Sequence, residues 1–172
     1  TEWEQPDDTT WVFQLREDVT FADGTPFDAG DVVYSFQTRK DGGTNATYLS
    51  LMESVEATGD HEVTFHFSAP DGTFLDAVSA RQTFLIVSEE AYGNATEEER
   101  QTTSVGTGAY QVTEWNQGVS VTMEKNENYW GEEPYIDTIV FELYPDENTL
   151  LAAVQQGSVQ AASFIDGSLA QQ

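Results

Sequence analysis

Trp11, Phe13 and Leu15 alternate with polar neighbours, the period-two pattern of a strand with one buried face. Asp23-Gly24 followed by Thr25-Pro26 marks a turn. Beyond it, Asp28 is placed to cap a helix, with Asp31 at the capping-box position. Val32, Val33 and Phe36 supply the apolar side of that helix, over residues 28–39. Gly30 in its first turn is a poor helix former, and residues 40–47 read as a loop rich in Gly and Asn. Strands are expected at Ser54–Ala57 and Glu62–Ser68, joined at Gly59-Asp60, a hairpin signal. In the second of them Val63, Phe65 and Phe67 form one face, and Thr64 and His66 the other.

The pattern continues with a short helix from Phe74 to Ser79, a strand at Phe84–Val87, and a partly helical acidic stretch from Glu89 to Arg100. Tyr110 and Val112, then Val121 and Met123, belong to a second hairpin turning at Gln117-Gly118. Ile136 to Leu143 alternates as a strand. Asp146 caps a helix carrying Leu150, Leu151 and Val154, Gly157 ends it, and Val159 to Phe164 resumes a strand. Strand, helix, strand is the unit of a parallel sheet, whereas the earlier hairpins predict antiparallel pairing. The expected fold class is therefore α/β (α+β) with mixed sheets. A boundary is expected at Gln101–Ser104, dividing a hairpin-rich part, 1–104, from an α/β part, 105–172. The final Leu169-Ala-Gln-Gln follows directly on an expected strand, so the chain reads as a piece of a longer protein.

Charge changes the picture more than any motif. Thirty-one acidic residues face six basic ones, a formal net charge of −25, spread along the whole chain instead of gathered in a tail. Nucleic acid is excluded as a partner, because phosphates would meet repulsion with no basic stripe to offset it. Self-repulsion of this size weakens a compact state in dilute buffer, and molar salt shortens the screening length to about 3 Å. The composition points to a salt-loving organism. Hydrophobic content is only 38%, yet the periodic segments argue for folding and against disorder. No cysteine is present, which rules out disulfides and thiolate metal sites.

Three blocks of sequence carry more specific information. The first is Ser104-Val105-Gly106-Thr107-Gly108-Ala109-Tyr110 with Lys125-Asn126-Glu127-Asn128-Tyr129-Trp130-Gly131. The second is Phe21-Ala-Asp-Gly-Thr-Pro-Phe27 with Asp31-Val-Val-Tyr-Ser-Phe36, and the third runs from Tyr144 to Gly157. In these blocks, from Trp11 to Phe164, the chain resembles the extracellular solute-binding proteins that feed peptide, nickel and opine importers of the ATP-binding-cassette class. Ala109 replaces a proline common in that family, and Gly30 departs from its polar residue. The resemblance implies an incomplete periplasmic-binding-protein-like lobe, with residues 105–172 in the larger lobe and leading to the hinge. It also implies a capture protein with no catalytic role and no cofactor.

On that resemblance Gly106, Thr107, Gly108 and Tyr110 border a ligand cleft; a tight backbone passage packed on Tyr110 is the competing reading. Gly106-Thr-Gly108 does not suit a dinucleotide, since Gln111 stands where a third glycine belongs and a strand follows. Arg81 and Lys125, two of the few cations, are candidates for a ligand carboxylate, with a salt bridge to a nearby acid as the alternative. Tyr129 and Trp130 read as core or hinge packing, His61 and His66 as solvated or packed histidines, and no metal site is expected. Asn45-Ala-Thr47 and Asn94-Ala-Thr96 match the N-glycosylation acceptor.

The expected function is reversible capture of di- or oligopeptides outside the cell, between two lobes closing about a hinge, and delivery to a membrane permease. The full-length protein is expected to be a monomer, cell-surface associated through a membrane anchor. The alternatives are a nickel or metal-chelate importer component, a secreted hydrolase, and a cell-surface glycoprotein.

Overall fold

The computed structural model describes residues 2–41, 46–80, 84–102 and 104–163. The chain divides into two compact units, residues 1–111 with 125–135, and residues 112–124 with 136–172.

The first unit is built on a four-stranded antiparallel sheet of β1 (Glu2–Asp7), β2 (Thr10–Gln14), β3 (Met52–Gly59) and β4 (Glu62–Phe67), in the order β1-β2-β4-β3. Trp11 pairs with Phe65, Phe13 with Val63, and Val55 with Phe65. The period-two residues therefore share one face. That face is covered by α1 (Ala29–Lys40) and α2 (Phe74–Ala80), which contribute Val32, Phe36, Phe74 and Ala77 to the buried core. Phe74 is the hub, its ring 5.1 Å from Phe65 and 4.8 Å from Phe67. Such aromatic pairs add about 0.5–1.5 kcal/mol beyond their buried area. β1 escapes the sequence pattern because all six of its residues are exposed, so it has no apolar period to read.

The capping box of α1 forms as expected. Asp28 Oδ1 accepts the Gly30 N–H at 2.7 Å, and Asp31 Oδ2 accepts the Asp28 N–H at 3.0 Å. A Cβ at residue 30 would sit 2.9 Å from Asp28 Oδ1 and 3.4 Å from Glu89 Oε2. Glycine there costs helix propensity of about 1 kcal/mol and leaves room for two carboxylates.

The strand expected at Phe84–Val87 is not one. Phe84 is buried and stacks on Phe36 at 5.6 Å, so the apolar signal was real. The segment's backbone is bound by side chains of α1 instead of by a neighbouring strand: Val87 N–H by Ser35 Oγ, and the Leu85 carbonyl by Arg39. Two short helices follow, α3 (Glu89–Gly93) and α4 (Glu97–Thr102).

The second unit holds a sheet in the order β5-β6-β7. β5 (Tyr110–Asn116) turns at Gly118, φ 75°, into β6 (Ser120–Lys125), and β6 pairs antiparallel with β7 (Thr138–Glu142). In α5 (Glu147–Gln155), Asp146 accepts the N–H groups of Asn148 and Thr149, both at 3.0 Å.

The expected parallel strand after α5 does not form over residues 159–163. The N–H groups of Ser158 and Val159 turn back to the Ala153 carbonyl, closing the helix end with donors that a strand would have used. Phe164 lies outside the described residues. Both sheets are antiparallel among the described residues, and with the helices they give the expected α/β (α+β) class. No described helix is long and apolar enough to cross a membrane.

Candidate functional site

Asn126, 4% exposed, ties the sequence blocks together. Its Nδ2 donates to the Gly108 carbonyl at 2.8 Å and its N–H to the Ala109 carbonyl at 3.0 Å. Its Oδ1 accepts the Asn128 N–H at 2.9 Å. Asn128 Nδ2 in turn donates to the Ala22 carbonyl at 3.2 Å, and the Ala22 N–H donates to the Gly106 carbonyl at 2.9 Å. The segments 21–27, 104–110 and 125–131 are thus distant in sequence and fastened to one another within the first unit. A buried asparagine this fully satisfied specifies its surroundings.

The loop 106–108 is anchored through two carbonyls. Those of Gly106 and Gly108 are engaged, whereas the Thr107 carbonyl and hydroxyl and the N–H groups of Gly106, Thr107 and Gly108 meet no partner among the described residues. Neither glycine has a positive φ. A Cβ on Gly106 would meet nothing within 4 Å, and one on Gly108 would lie 3.9 Å from the Tyr110 carbonyl oxygen. Crowding therefore does not demand glycine here.

These residues line a cavity of about 550 Å³, together with Arg16, Trp130 and an apolar wall that includes Leu15, Phe27, Phe84 and Ile86. The same four apolar residues also border a smaller chamber, about 180 Å³, lined wholly by hydrophobic side chains of the core. The Arg16 guanidinium lies 4.4 Å from the centre of the Trp130 ring, a cation–π contact worth about 0.5–1 kcal/mol at an exposed site. Arg16 Nη2 donates to Asp18 Oδ2 at 2.6 Å. That bond holds the Asp18 carboxyl below its usual range. Arg16 Nε is buried and has no partner.

The structure thus brings Gly106, Thr107 and Gly108 together on one cavity wall. Tyr110 opens β5, and Lys125 closes β6 with its ammonium 3.1 Å from Glu133. Arg81 and Asn45 lie outside the described residues. Asn94 is exposed and caps the C-terminus of α3. His66 Nδ1 is 3.5 Å from the Thr10 hydroxyl across the sheet, and His61 precedes β4. Among the described residues no three His, Asp or Glu side chains are grouped to hold a metal ion. Sequence reasoning missed Arg16 and took Trp130 for packing. The available signal was a rare cation directly after Leu15, the last apolar position of the first strand pattern.

The family model described as bacterial extracellular solute-binding proteins, family 5 Middle, matches residues 1–172. The oligopeptide-binding protein AppA of Bacillus subtilis is 32% identical over 156 residues, covering 85% of this chain and 28% of that protein. The nickel-binding periplasmic protein of Escherichia coli is 29% identical over 166 residues, covering 95% and 32%. The solved structure of Bacillus subtilis AppA with a nonapeptide superposes with a TM-score of 0.81 at 26% identity, over 92% of this chain and 33% of that one. The chain spans about a third of the length of these relatives.

Proposed function

The chain belongs to the bacterial extracellular solute-binding proteins of family 5, and on that premise we propose that it is part of the peptide-capturing component of an ATP-binding-cassette importer. The whole protein binds di- or oligopeptides reversibly outside the cell and hands them to a membrane permease. It works as a monomer held at the cell surface by a membrane anchor, and it performs no covalent chemistry. The observation that carries this reading is the cavity rimmed by Gly106, Thr107 and Gly108 at the meeting of the three fastened segments. A concave site with apolar walls and a few polar groups is what a small-ligand pocket requires.

Tyr110, Lys125 and Arg81 are proposed as further ligand contacts, and Asn45 and Asn94 as glycosylation sites on the exported protein. Residues 1–104 are assigned to the hairpin-rich subdomain and 105–172 to the larger lobe. The charge of −25 is proposed to be an adaptation to high salt, in which screening removes the self-repulsion.

Native mass spectrometry of the full-length protein from its producing organism tests the assignment. A co-purified peptide supports it. A bound metal chelate would transfer the protein to the nickel-type branch, and a ligand-free protein that binds no peptide would remove the capture reading.

A further inference from the structure

We infer that the smaller chamber in the core of the first unit is a second binding site, which takes a small hydrocarbon about the size of one aromatic ring. It has a volume of about 180 Å³ and lies between the sheet face, at Phe13, Val63 and Phe65, and the helices α1 and α2, with Phe84 and Ile86 as a further wall. Protein interiors leave few cavities larger than a water molecule, so a chamber of this size is an exception within a core. Every lining side chain is hydrophobic. Water needs about two to four polar partners to occupy a cavity, and these side chains supply none. Apolar cavities of about 150 Å³ stay dry and accept benzene.

The rings set the chemistry of the guest. Phe36 meets Phe65 in a T-shaped arrangement at 4.9 Å, and Phe13 meets Phe74 in the same way at 6.1 Å. Aromatic rings so arranged attract one another beyond their buried area, and a guest ring gains the same contacts. A peptide does not suit this chamber, because its amide N–H and C=O groups would be left unmatched. The inference therefore does not rest on the capture reading. Burial marks the way in. Val63, Phe65 and Phe74 are 0–3% exposed, whereas Leu15, Phe27 and Ile86 are only partly buried and also line the larger cavity. The segment of Phe84 and Ile86 is fastened by Ser35 and Arg39 and not by a strand ladder, so this wall can shift without opening a sheet.

Calorimetry and thermal melting of the full-length protein with benzene test the inference. Benzene is expected to bind with a Kd of about 1 mM or tighter and to raise the melting temperature. Phenol, whose hydroxyl finds no partner among the lining side chains, should bind at least about tenfold more weakly. Val78 lines the chamber and not the larger cavity, so Val78→Phe should abolish benzene binding. Val32→Ile, a smaller filling of the same chamber, should weaken it and serves should Val78→Phe fail to fold. Gly106→Leu, which fills the larger cavity instead, should leave the affinity for benzene unchanged. No benzene binding by the unaltered protein would overturn the inference. So would equal binding of phenol, binding unaffected by the filling variants, or binding lost in Gly106→Leu. Peptide capture stands under any of these results.

Discussion

Ser35 Oγ lies 3.0 Å from the amide nitrogen of Val87 and 3.4 Å from its carbonyl oxygen, so one buried hydroxyl serves both backbone groups of a residue 52 positions away. One turn earlier on α1, Asp31 Oδ1 accepts the Glu89 N–H at 2.8 Å. One turn later, Arg39 donates to the Ser35 carbonyl at 3.2 Å and also to the Leu85 carbonyl. Residues spaced by four share a helix face, so this stripe takes the place of a neighbouring strand. It holds Phe84, Leu85 and Ile86 where they form a wall of the cavity.

Ser35→Ala should destabilise the protein by about 1–3 kcal/mol, the cost of leaving a buried donor without its partner. Hydrogen exchange should quicken at the Val87 amide far more than at amides of β4. Ser35→Thr should restore much of the protection. Unchanged exchange at Val87 would show that the hydroxyl is incidental.

Asp31 titrates abnormally. Burial raises its pKa above 3.8, and the nearby Asp28 and Glu89 charges add to that, while the Asp28 and Glu89 N–H groups oppose it. A carboxyl with a raised folded pKa contributes stability that is present below pH 3.8 and lost as pH rises through the folded value. The stability of the unaltered protein relative to Asp31→Asn should therefore decline as pH rises through that window. Urea unfolding of both proteins from pH 3.5 to 7, an interval of about three and a half units around the shift, checks the sign.

Asp146 behaves in the opposite sense. The Thr149 N–H, then its hydroxyl, lower its pKa below 3.8. The contribution of this cap is present above pH 3.8 and disappears as pH falls through the folded value. Asp146→Ala should lower the melting temperature near neutral pH, Asp146→Asn should largely retain it, and the acid sensitivity should be absent from the Asn variant. A circular-dichroism melt at two pH values separates these outcomes.

Gly106 offers a contrast between stability and function. Its backbone is not left-handed and a Cβ would meet empty space. Gly106→Ala should thus leave stability unchanged or raise it by about 0.4–1 kcal/mol through the unfolded chain. Gly106→Leu should fold as well and reduce peptide affinity, because its side chain would occupy the cavity. Loss of folding in Gly106→Ala would contradict the open geometry of the loop.

The melting temperature should climb by more than about 5 °C between dilute buffer and molar potassium chloride, a shift equivalent to roughly 1–2 kcal/mol. Equal melting points in the two solutions would remove the high-salt reading of the −25 charge.

Much of this protein is determined locally and was legible in the chain. The capping box at Asp28 and Asp31, the cap at Asp146, and the turns at Gly24, Gly118 and Gly157 each depend on residues within a few positions of one another, and so does the apolar face of β4. The three blocks that carried the family resemblance were equally visible. Tertiary structure alone decided what the apolar run at Phe84–Val87 pairs with, because period and propensity describe a segment's faces and not its partner. Ser35 and Arg39 read as ordinary helix residues until the fold brought residues 85–87 against them. The same holds at the site. Asn126 and Asn128 sit in one short turn, yet their bonds reach residues 18 and about 106 positions away, and Arg16 acquires its place on the cavity wall only when Trp130 arrives beneath it. Hydrogen bonds between distant segments leave no periodic trace in a sequence, and that is why the elements could be read and the cavity could not.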